Sequence, residues 1–484
     1  MSATSLPSVS DQANEIVTAA LHQADQASVL HPSTNIADFA SGKLPSTIVK
    51  SASGVRICDA EGHELIDAFA GLYCVNIGYG RTEVADAIAR QAHQLAYYHT
   101  YAGHSTEELI RLSDRLVKMA PISNGGEPMQ RVFYGTSGSD ANETNAKLVW
   151  YYHNLIGKPK KKRIIARDRA YHGNTVMAGS MTGLNFYHNF MDLPVSAILR
   201  TGAPHHYWGA NPGESEEQFS QRRATELEAL IVREDPETIG AFIGEPVLGT
   251  GGLIPPPAGY WSAIQAVLRK YNILLIADEV ITGFGRTGRM FGSQLYEIQP
   301  DLITIAKGLT SAYAPLSGVM VGERVYKAME AGSAEAGVFP HGYTYTGHPI
   351  AVAAANANLD ILERENLTQN AAEVGAYMLG ALHDAFDGLP ITGEVRGVGL
   401  MLAVEFVADP ATKQRLDPAL KVAYRISALA REKGLISRAM PQSEALGFAP
   451  PLVLTRSEAD QIVEIAAAST RQVIDELTRE GTRA

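Results

Sequence analysis

ILLIADEVITGFGRTGRMFGSQLYEIQPDLITIAK, from Ile273 to Lys307, reads as two buried strands and the connection between them. The run Ile273 to Ala277 is apolar at every position, as expected of a strand covered on both faces of a sheet. It delivers Asp278 and Glu279 at its carboxyl end, and the run Leu302 to Ala306 delivers Lys307 in the same way. A carboxylate ending a buried strand is costly unless it meets a cation. One crossover separates acid from lysine, so both are expected to face one site beyond the strand ends, where open α/β sheets bind ligands. Within the connection, Gly283 to Gly288 fits the dinucleotide pattern GxGxxG. Another Gly and a Pro stand where its helix should run and no ribose-binding acid follows, so it reads as a plain glycine turn.

Outward from this stretch, short β-branched runs alternate with helical patterns between about residues 80 and 345. Further strands are expected at Arg131 to Tyr134, Arg163 to Ala166, Ile239 to Gly244 and Gly318 to Val321. Helices are expected at Thr82 to Gln94, Glu107 to Met119, Glu217 to Arg233 and Tyr260 to Tyr271. This alternation predicts an α/β fold with a mostly parallel sheet. Downstream, Gly393 to Val407 reads as strands joined at a glycine turn. Thr455 to Leu477 reads as a helix opened by the capping box Thr455-x-x-Glu458, giving a smaller α+β unit. Upstream, Val55 to Ala70 reads as a hairpin about Glu61-Gly62, and residues 1–45 as an arm with a weak helical pattern through Ile16, Ala20 and Leu21.

The segment FYGTSGSDANETNAKLVWYYHNL, Phe133 to Leu155, supplies a second part of the site. A strand ends, a small-residue loop follows, and a helix opens at Ser137-x-x-Asp140. Free N–H groups at that helix start, with glycine allowing close approach, form an anion cradle for which phosphate is the obvious occupant. The Walker pattern GxxxxGK[ST] is absent. An anion cradle, a strand-end acid and a strand-end lysine are the parts that pyridoxal phosphate requires: a phosphate site, a partner for its ring nitrogen, and an amine for its aldehyde.

Composition agrees with a small-molecule ligand. The 484 residues are 45% hydrophobic and 19% charged, with a formal charge of −11. An acidic chain does not neutralise a phosphate backbone or an anionic membrane, so neither nucleic acid nor membrane is expected as a partner. No apolar stretch approaches the ~18 residues of a membrane span. Cys58 and Cys74 are too few for a disulfide framework, and no Lys or Arg precedes Lys43, so no targeting segment is read and a reducing, cytoplasmic location is expected. KPKKKR, Lys158 to Arg163, reads as a solvated loop. His205-His206 lacks metal-ligand spacing, so no metal site is expected. Tyr97, Tyr98 and Tyr101 read as packing residues.

Several long motifs carry a resemblance: GLYCVNIGYG from Gly71, SGSDANET from Ser137, YHGNT from Tyr171, EPVLGTGG from Glu245, LIADEVITGFGRTG from Leu275, IAKGLTSAYAPLSGV from Ile305 and HGYTYTGHP from His341. In this order and over nearly the whole chain they resemble the class III pyridoxal-phosphate aminotransferases, more narrowly the amine:pyruvate or ω-transaminase branch. The resemblance implies the fold-type I architecture, with a seven-stranded, mostly parallel sheet. It implies an arm at 1–45, a large cofactor-binding domain at 76–344, and a small domain assembled from 46–75 and 345–484.

By the same resemblance, Lys307 is the Schiff-base lysine and proton carrier, and Asp278 the partner of the pyridinium nitrogen. Ser137, Gly138 and Ser139 hold the phosphate, Tyr171 stacks on the ring with Val280 on the opposite face, and His172 and Glu245 complete the cofactor set. Thr344 reaches the phosphate in a neighbouring subunit, implying a homodimer with shared sites, possible also within a tetramer. Tyr73, Tyr101 and Thr250 line the substrate pocket, and Arg438 in ISRAM is the mobile arginine for the acceptor carboxylate. The family usually has Glu at Asp140, commonly Trp at Tyr73, and a smaller residue at Thr250.

The expected reaction is ping-pong transfer of an amino group from a primary amine or ω-amino acid to pyruvate. The alternatives are a specialised putrescine, 4-aminobutyrate, β-alanine or taurine:pyruvate aminotransferase and, from another class, a non-catalytic regulator that binds the cofactor.

Overall fold

The computed structural model describes residues 9–44 and 46–481. Residues 1–8 and 45 of the expected arm lie outside that range. The rest of the arm forms the helices Val9–Ser28 and Ile36–Ala40, the second capped by Asn35, which accepts the Asp38 N–H at 3.0 Å.

Three strands follow, β1 (Val49–Ser53), β2 (Arg56–Asp59) and β3 (Glu64–Asp67), with β2 and β3 forming the expected hairpin. The central sheet contains β4 (Met129–Gly135), β5 (Arg163–Arg167), β6 (Ile198–Thr201), β7 (Ile239–Gly244), β8 (Leu274–Asp278), β9 (Leu302–Ile305) and β10 (Ser317–Gly322). Their spatial order is β4-β10-β9-β8-β7-β5-β6. All neighbours are parallel except that β10 runs antiparallel to both β4 and β9. Sequence patterning missed β6, which has only two apolar residues, Ile198 and Leu199, before Arg200 and Thr201.

Strand alternation divides the core into two layers. Ile164, Ala241, Ile243, Leu274 and Ile276 pack under Ala141, Leu148 and Val149 of the helix Gly138–Leu155. Ile165, Phe242 and Leu275 face the opposite way, against Leu227 and Ile231 of Glu216–Arg233 and Ile264 and Leu268 of Tyr260–Lys270. Burial on both sides explains why these strands read as continuous apolar runs.

The last strands are β11 (Thr392–Val398), β12 (Met401–Phe406), β13 (Leu435–Ile436), β14 (Arg438–Ala439) and β15 (Ala445–Phe448). An antiparallel sheet runs β11-β12-β15-β14, while β13 joins β3 in parallel and completes the sheet β1-β2-β3-β13. Residues about 370 positions apart in the chain thus share one small sheet. The final helix, Arg456–Arg479, starts at the predicted capping box, with Thr455 and Glu458 each accepting the other's backbone N–H. Two helices absent from the sequence reading, Pro349–Arg364 and Leu367–Phe386, lie between the large sheet and β11.

Two local expectations change. The basic run Lys158 to Arg163 is not simply solvated: Lys161 is buried and donates to the carbonyls of Ile239 and Tyr271 at 3.1 Å each. Tyr97, Tyr98 and Tyr101 are exposed by 39%, 44% and 48%, because they sit on a surface loop where no core element covers them. No helix among the described residues is long and apolar enough to cross a membrane.

Candidate active site

Strand register gathers the chemistry at the carboxyl edge of the central sheet. β7 and β8 pair Gly244 with Ala277, so the next residues, Glu245 and Asp278, stand side by side. Asp278 pairs in turn with Thr304 on β9, just before Lys307. These ends wall a cavity of about 410 Å³. Its lining includes Ser137, Gly138, Ser139, Tyr171, His172, Glu245, Asp278, Val280 and Lys307, nine residues singled out from sequence motifs 170 positions apart at the extremes.

Asp278 is buried and held from three sides. Its Oδ2 meets His172 Nδ1 at 2.7 Å and Asn142 Nδ2 at 2.8 Å, and its Oδ1 accepts the Val280 N–H at 3.1 Å. Asn142 also donates to the His172 carbonyl at 2.8 Å and accepts from Asn145 and Thr304. Sequence reading passed over Asn142. The available signal was its position one turn after Gly138, on the helix face turned toward the strand ends.

Glu245 accepts the N–H groups of Tyr171 at 2.6 Å and Gly249 at 2.7 Å. Burial raises its carboxyl above the usual range, with His172 and Arg167 opposing. Lys307 occupies a left-handed conformation, φ 45°, in the single turn Lys307–Leu309. Such a conformation costs on the order of 1 kcal/mol for a residue with a side chain. Asn358 fixes the turn by donating to the carbonyls of Gly308 and Leu309 at 2.9 and 3.0 Å. Burial depresses the Lys307 ammonium below its ordinary range, against the pull of Cys74, Asp278 and Glu245. Among the described residues its Nζ has no ion-pair partner.

At the cradle, Ser137 caps the helix through Asp140 N–H at 3.2 Å. The Asp140 carboxylate reaches back to the N–H groups of Thr136 at 2.8 Å and Ser137 at 3.1 Å, and to Ser317 Oγ at 2.8 Å. Asp140 therefore shapes the helix start, and the N–H groups left facing the cavity are those of Gly138 and Ser139.

The expected substrate residues do not gather in this cavity. Tyr73 is buried beside it, its ring 4.4 Å from that of Phe69 and its hydroxyl without a hydrogen-bond partner. Thr250 is buried in the loop after β7. Arg438 begins β14 and lines a second cavity, of about 620 Å³, with Phe186, Tyr187, Tyr424 and Gln442. Its guanidinium lies 5.3 Å over the Phe69 ring. Burial and Tyr187 raise the Tyr171 hydroxyl to about 12, and the Arg438 charge works against that rise. Tyr101 lines a separate cavity with Phe133 and His341. Thr344 is exposed, its carbonyl accepting from the Tyr97 hydroxyl at 2.7 Å. Neither lies at the Lys307 cavity of its own chain.

Asp59, Glu61 and His63 in the β2–β3 turn bring three possible metal-ligand atoms within 4.8 Å of one another. Asp59 serves the turn itself, accepting the His63 N–H at 2.8 Å.

The family model for aminotransferase class-III matches residues 38–469. An uncharacterized aminotransferase, y4uB, of Sinorhizobium fredii is 63% identical over 464 residues, covering 96% of this chain and 98% of its own length. A diaminobutyrate–2-oxoglutarate transaminase of Halomonas elongata is 54% identical, covering 94% of this chain and 97% of its own. An omega transaminase from Pseudomonas jessenii, solved in complex with PMP, superposes with a TM-score of 0.91 at 41% identity, covering 95% of this chain and 99% of that one.

Proposed function

The chain belongs to the class-III aminotransferases, fold-type I enzymes that use pyridoxal 5'-phosphate, and on that premise we propose that it moves an amino group from a primary amine or ω-amino acid to pyruvate. The observation that carries the acceptor is Arg438. Among the described residues no carboxylate pairs with it, yet its charge is felt at Tyr73, Tyr171 and Lys307. A cation placed so offers a keto acid's carboxylate a charge-assisted grip.

The cradle fits the cofactor. A Cβ on Gly138 would come 3.1 Å from Val280 Cγ2, so the space for an anion there depends on glycine. Gly138 and Ser139, with the Ser139 hydroxyl, would hold the phosphate, Tyr171 and Val280 would flank the ring, and Asp278 would hold the ring-nitrogen proton. When bound, the cofactor supplies an aldehyde that condenses with amines and a ring that takes up the electron pair left by a departing proton.

The chain's own residues do the rest. His172 and Asn142 keep Asp278 oriented, and its charge favours a protonated partner, each pKa unit being about 1.4 kcal/mol. Burial keeps the released Lys307 amine able to exist uncharged, so its Nζ takes the proton from the substrate carbon and returns it one position away. Glu245 fixes the Tyr171 and Gly249 backbone on either side of the cavity. Tyr73 and Thr250 close the amine side of the pocket.

Tyr101 and Thr344, both remote from their own Lys307, support a homodimer in which each chain completes its neighbour's site. The division into arm, small domain and large domain is likewise our proposal, supported by the pairing of β3 with β13. The two free cysteines, Cys58 and Cys74, support a cytoplasmic location.

A second reading, an ω-amino donor with 2-oxoglutarate as acceptor, is favoured by the Halomonas relative. An amine panel run separately with pyruvate and with 2-oxoglutarate separates the two. Faster turnover with pyruvate across the panel is expected, and turnover with 2-oxoglutarate alone would replace the first reading by the second. Initial-rate patterns that intersect instead of running parallel would refute the ping-pong order.

A further inference from the structure

The loop that carries Thr250 is suspended from two arginines, the half-buried Arg169 and the buried Arg396. Its first residues are fixed by Glu245, which accepts the Gly249 N–H at 2.7 Å. Its later carbonyls face guanidinium groups: Gly251 O accepts Arg169 Nε at 2.8 Å, Gly252 O accepts Arg396 Nη2 at 2.7 Å and Nε at 3.2 Å, and Leu253 O accepts Arg396 Nε at 3.3 Å. The approach is close enough that a Cβ on Gly251 would stand 1.9 Å from the Arg169 carbonyl oxygen.

Arg396 is itself 7% exposed and braced on its far side. Its Nη1 donates to Glu394 and its Nη2 to Glu405, both at 2.8 Å. Glu405 also accepts from Trp208 Nε1 and Ser443 Oγ, each at 3.0 Å, and Glu394 pairs with His205 at 3.0 Å. Burial would raise the Glu405 carboxyl, but the Arg396 charge, with His205 and Arg169, holds it down at about 2.

Strand register links this anchor to the acceptor side. Arg396 on β11 stands opposite Ala403 on β12, Ala403 opposite Gly447 on β15, and Gly447 opposite Arg438 on β14. Residues directly opposite across paired strands project from one face, so Arg396 and Arg438 leave the same side of the sheet about 14 Å apart, three strand spacings. Leu253 fills the row between them, against Gly447 and Ala403.

We propose that Arg396, assisted by Arg169, is a positioning residue for substrate selection: it sets the Thr250 loop at a fixed spacing from Arg438, so that the amine-side wall and the carboxylate grip act as one gauge. The inference rests on the reading of Arg438 as the acceptor's anchor. It assigns selection of the keto acid by length to residues behind Arg438 that themselves touch no substrate.

The test uses the holoenzyme with Arg396→Lys, which keeps a cation for Glu405 but cannot span both carboxylates and the loop carbonyls. The expected result is a KM for pyruvate raised about tenfold, the scale of coupling within a shared network, with kcat at saturation and the cofactor's bound absorbance within twofold of wild type. In an Arg438→Ala background the same substitution should add no further rise. A fall in kcat and thermal stability with an unchanged pyruvate KM would reduce Arg396 to a structural role and overturn the proposal, as would penalties that simply multiply in the double variant. If Arg396→Lys does not fold, Gly251→Ala displaces the loop by pressing on the Arg169 backbone while leaving Arg396 and its two carboxylates in place, and an unchanged pyruvate KM there would overturn the proposal equally. Wild-type protein that ignores pyruvate but uses 2-oxoglutarate would refute the acceptor reading alone, and the KM comparison would then be made with 2-oxoglutarate.

Discussion

The two ends of the proposed active site are built differently. At the cofactor end, nine motif residues converge on one cavity within one chain because they occupy the ends of neighbouring strands in a single sheet. At the proposed substrate end, Tyr73 comes from a left-handed turn after β3, Thr250 from a loop, Arg438 from a two-residue strand, and Tyr101 from a different surface altogether. The first arrangement is fixed by backbone pairing and tolerates little change. The second is fixed by side chains reaching across segments, which lets selectivity change while the chemistry stays.

Lys307→Ala should break this contrast most severely if the ends are inseparable, or define it if they are not. The expected outcome is a loss of roughly 10² to 10⁴ in rate, the same for every amine and keto acid, measured in single-turnover reactions. Arg438→Ala should be selective. Its KM for the keto acid should rise roughly 10- to 100-fold, from the 1.5–3 kcal/mol of a hydrogen bond to a charged group, with amine KM values little changed in steady-state kinetics. An equal rise for amines would mean that Arg438 serves both halves of the reaction.

A pH profile sharpens the cofactor end. Burial depresses the folded pKa of Lys307, so between that value and the ordinary lysine range near 10.5 the unfolded chain binds a proton that the native apoprotein does not. Apoprotein stability contributed by this group should therefore rise with pH through that window. Cofactor capture should rise with pH and level off before the ordinary lysine range, as followed by absorbance after mixing. The smallest effect is expected from Tyr73→Phe. Removing a buried hydroxyl that has no partner should leave stability unchanged or raise it by up to about 1 kcal/mol, while shifting preference between polar and apolar amines a few-fold.

The same contrast governs how much could be read from the chain. Strands β7, β8 and β9 were legible because burial on both faces keeps them almost wholly apolar, β5 through its apolar centre Ile164 to Ala166, and their end residues pointed to the proposed cofactor site. The short β6 was not, since Arg200 and Thr201 break its pattern. Asn142 was hidden by its type, an asparagine inside a helix having no distinct signature until Asp278 stands opposite. The burial of Lys161 was hidden in a basic run whose other residues are exposed or half-exposed, as a solvated loop requires. Arg396 and Arg438 stand in one row only because β12 pairs with β15, a non-local choice that no local pattern encodes.

The parallel pair β3–β13 has a consequence for synthesis. The far edge of β3 waits for Leu435 and Ile436, which leave the ribosome roughly 370 residues later, about 20 to 70 s at ordinary elongation rates. For most of translation the N–H groups of Ile66 and Ala68, which in the finished fold donate to the carbonyls of Gly434 and Ile436 at 2.9 and 3.0 Å, stay open, so the nascent chain carries a sticky strand edge until its own late segment covers it.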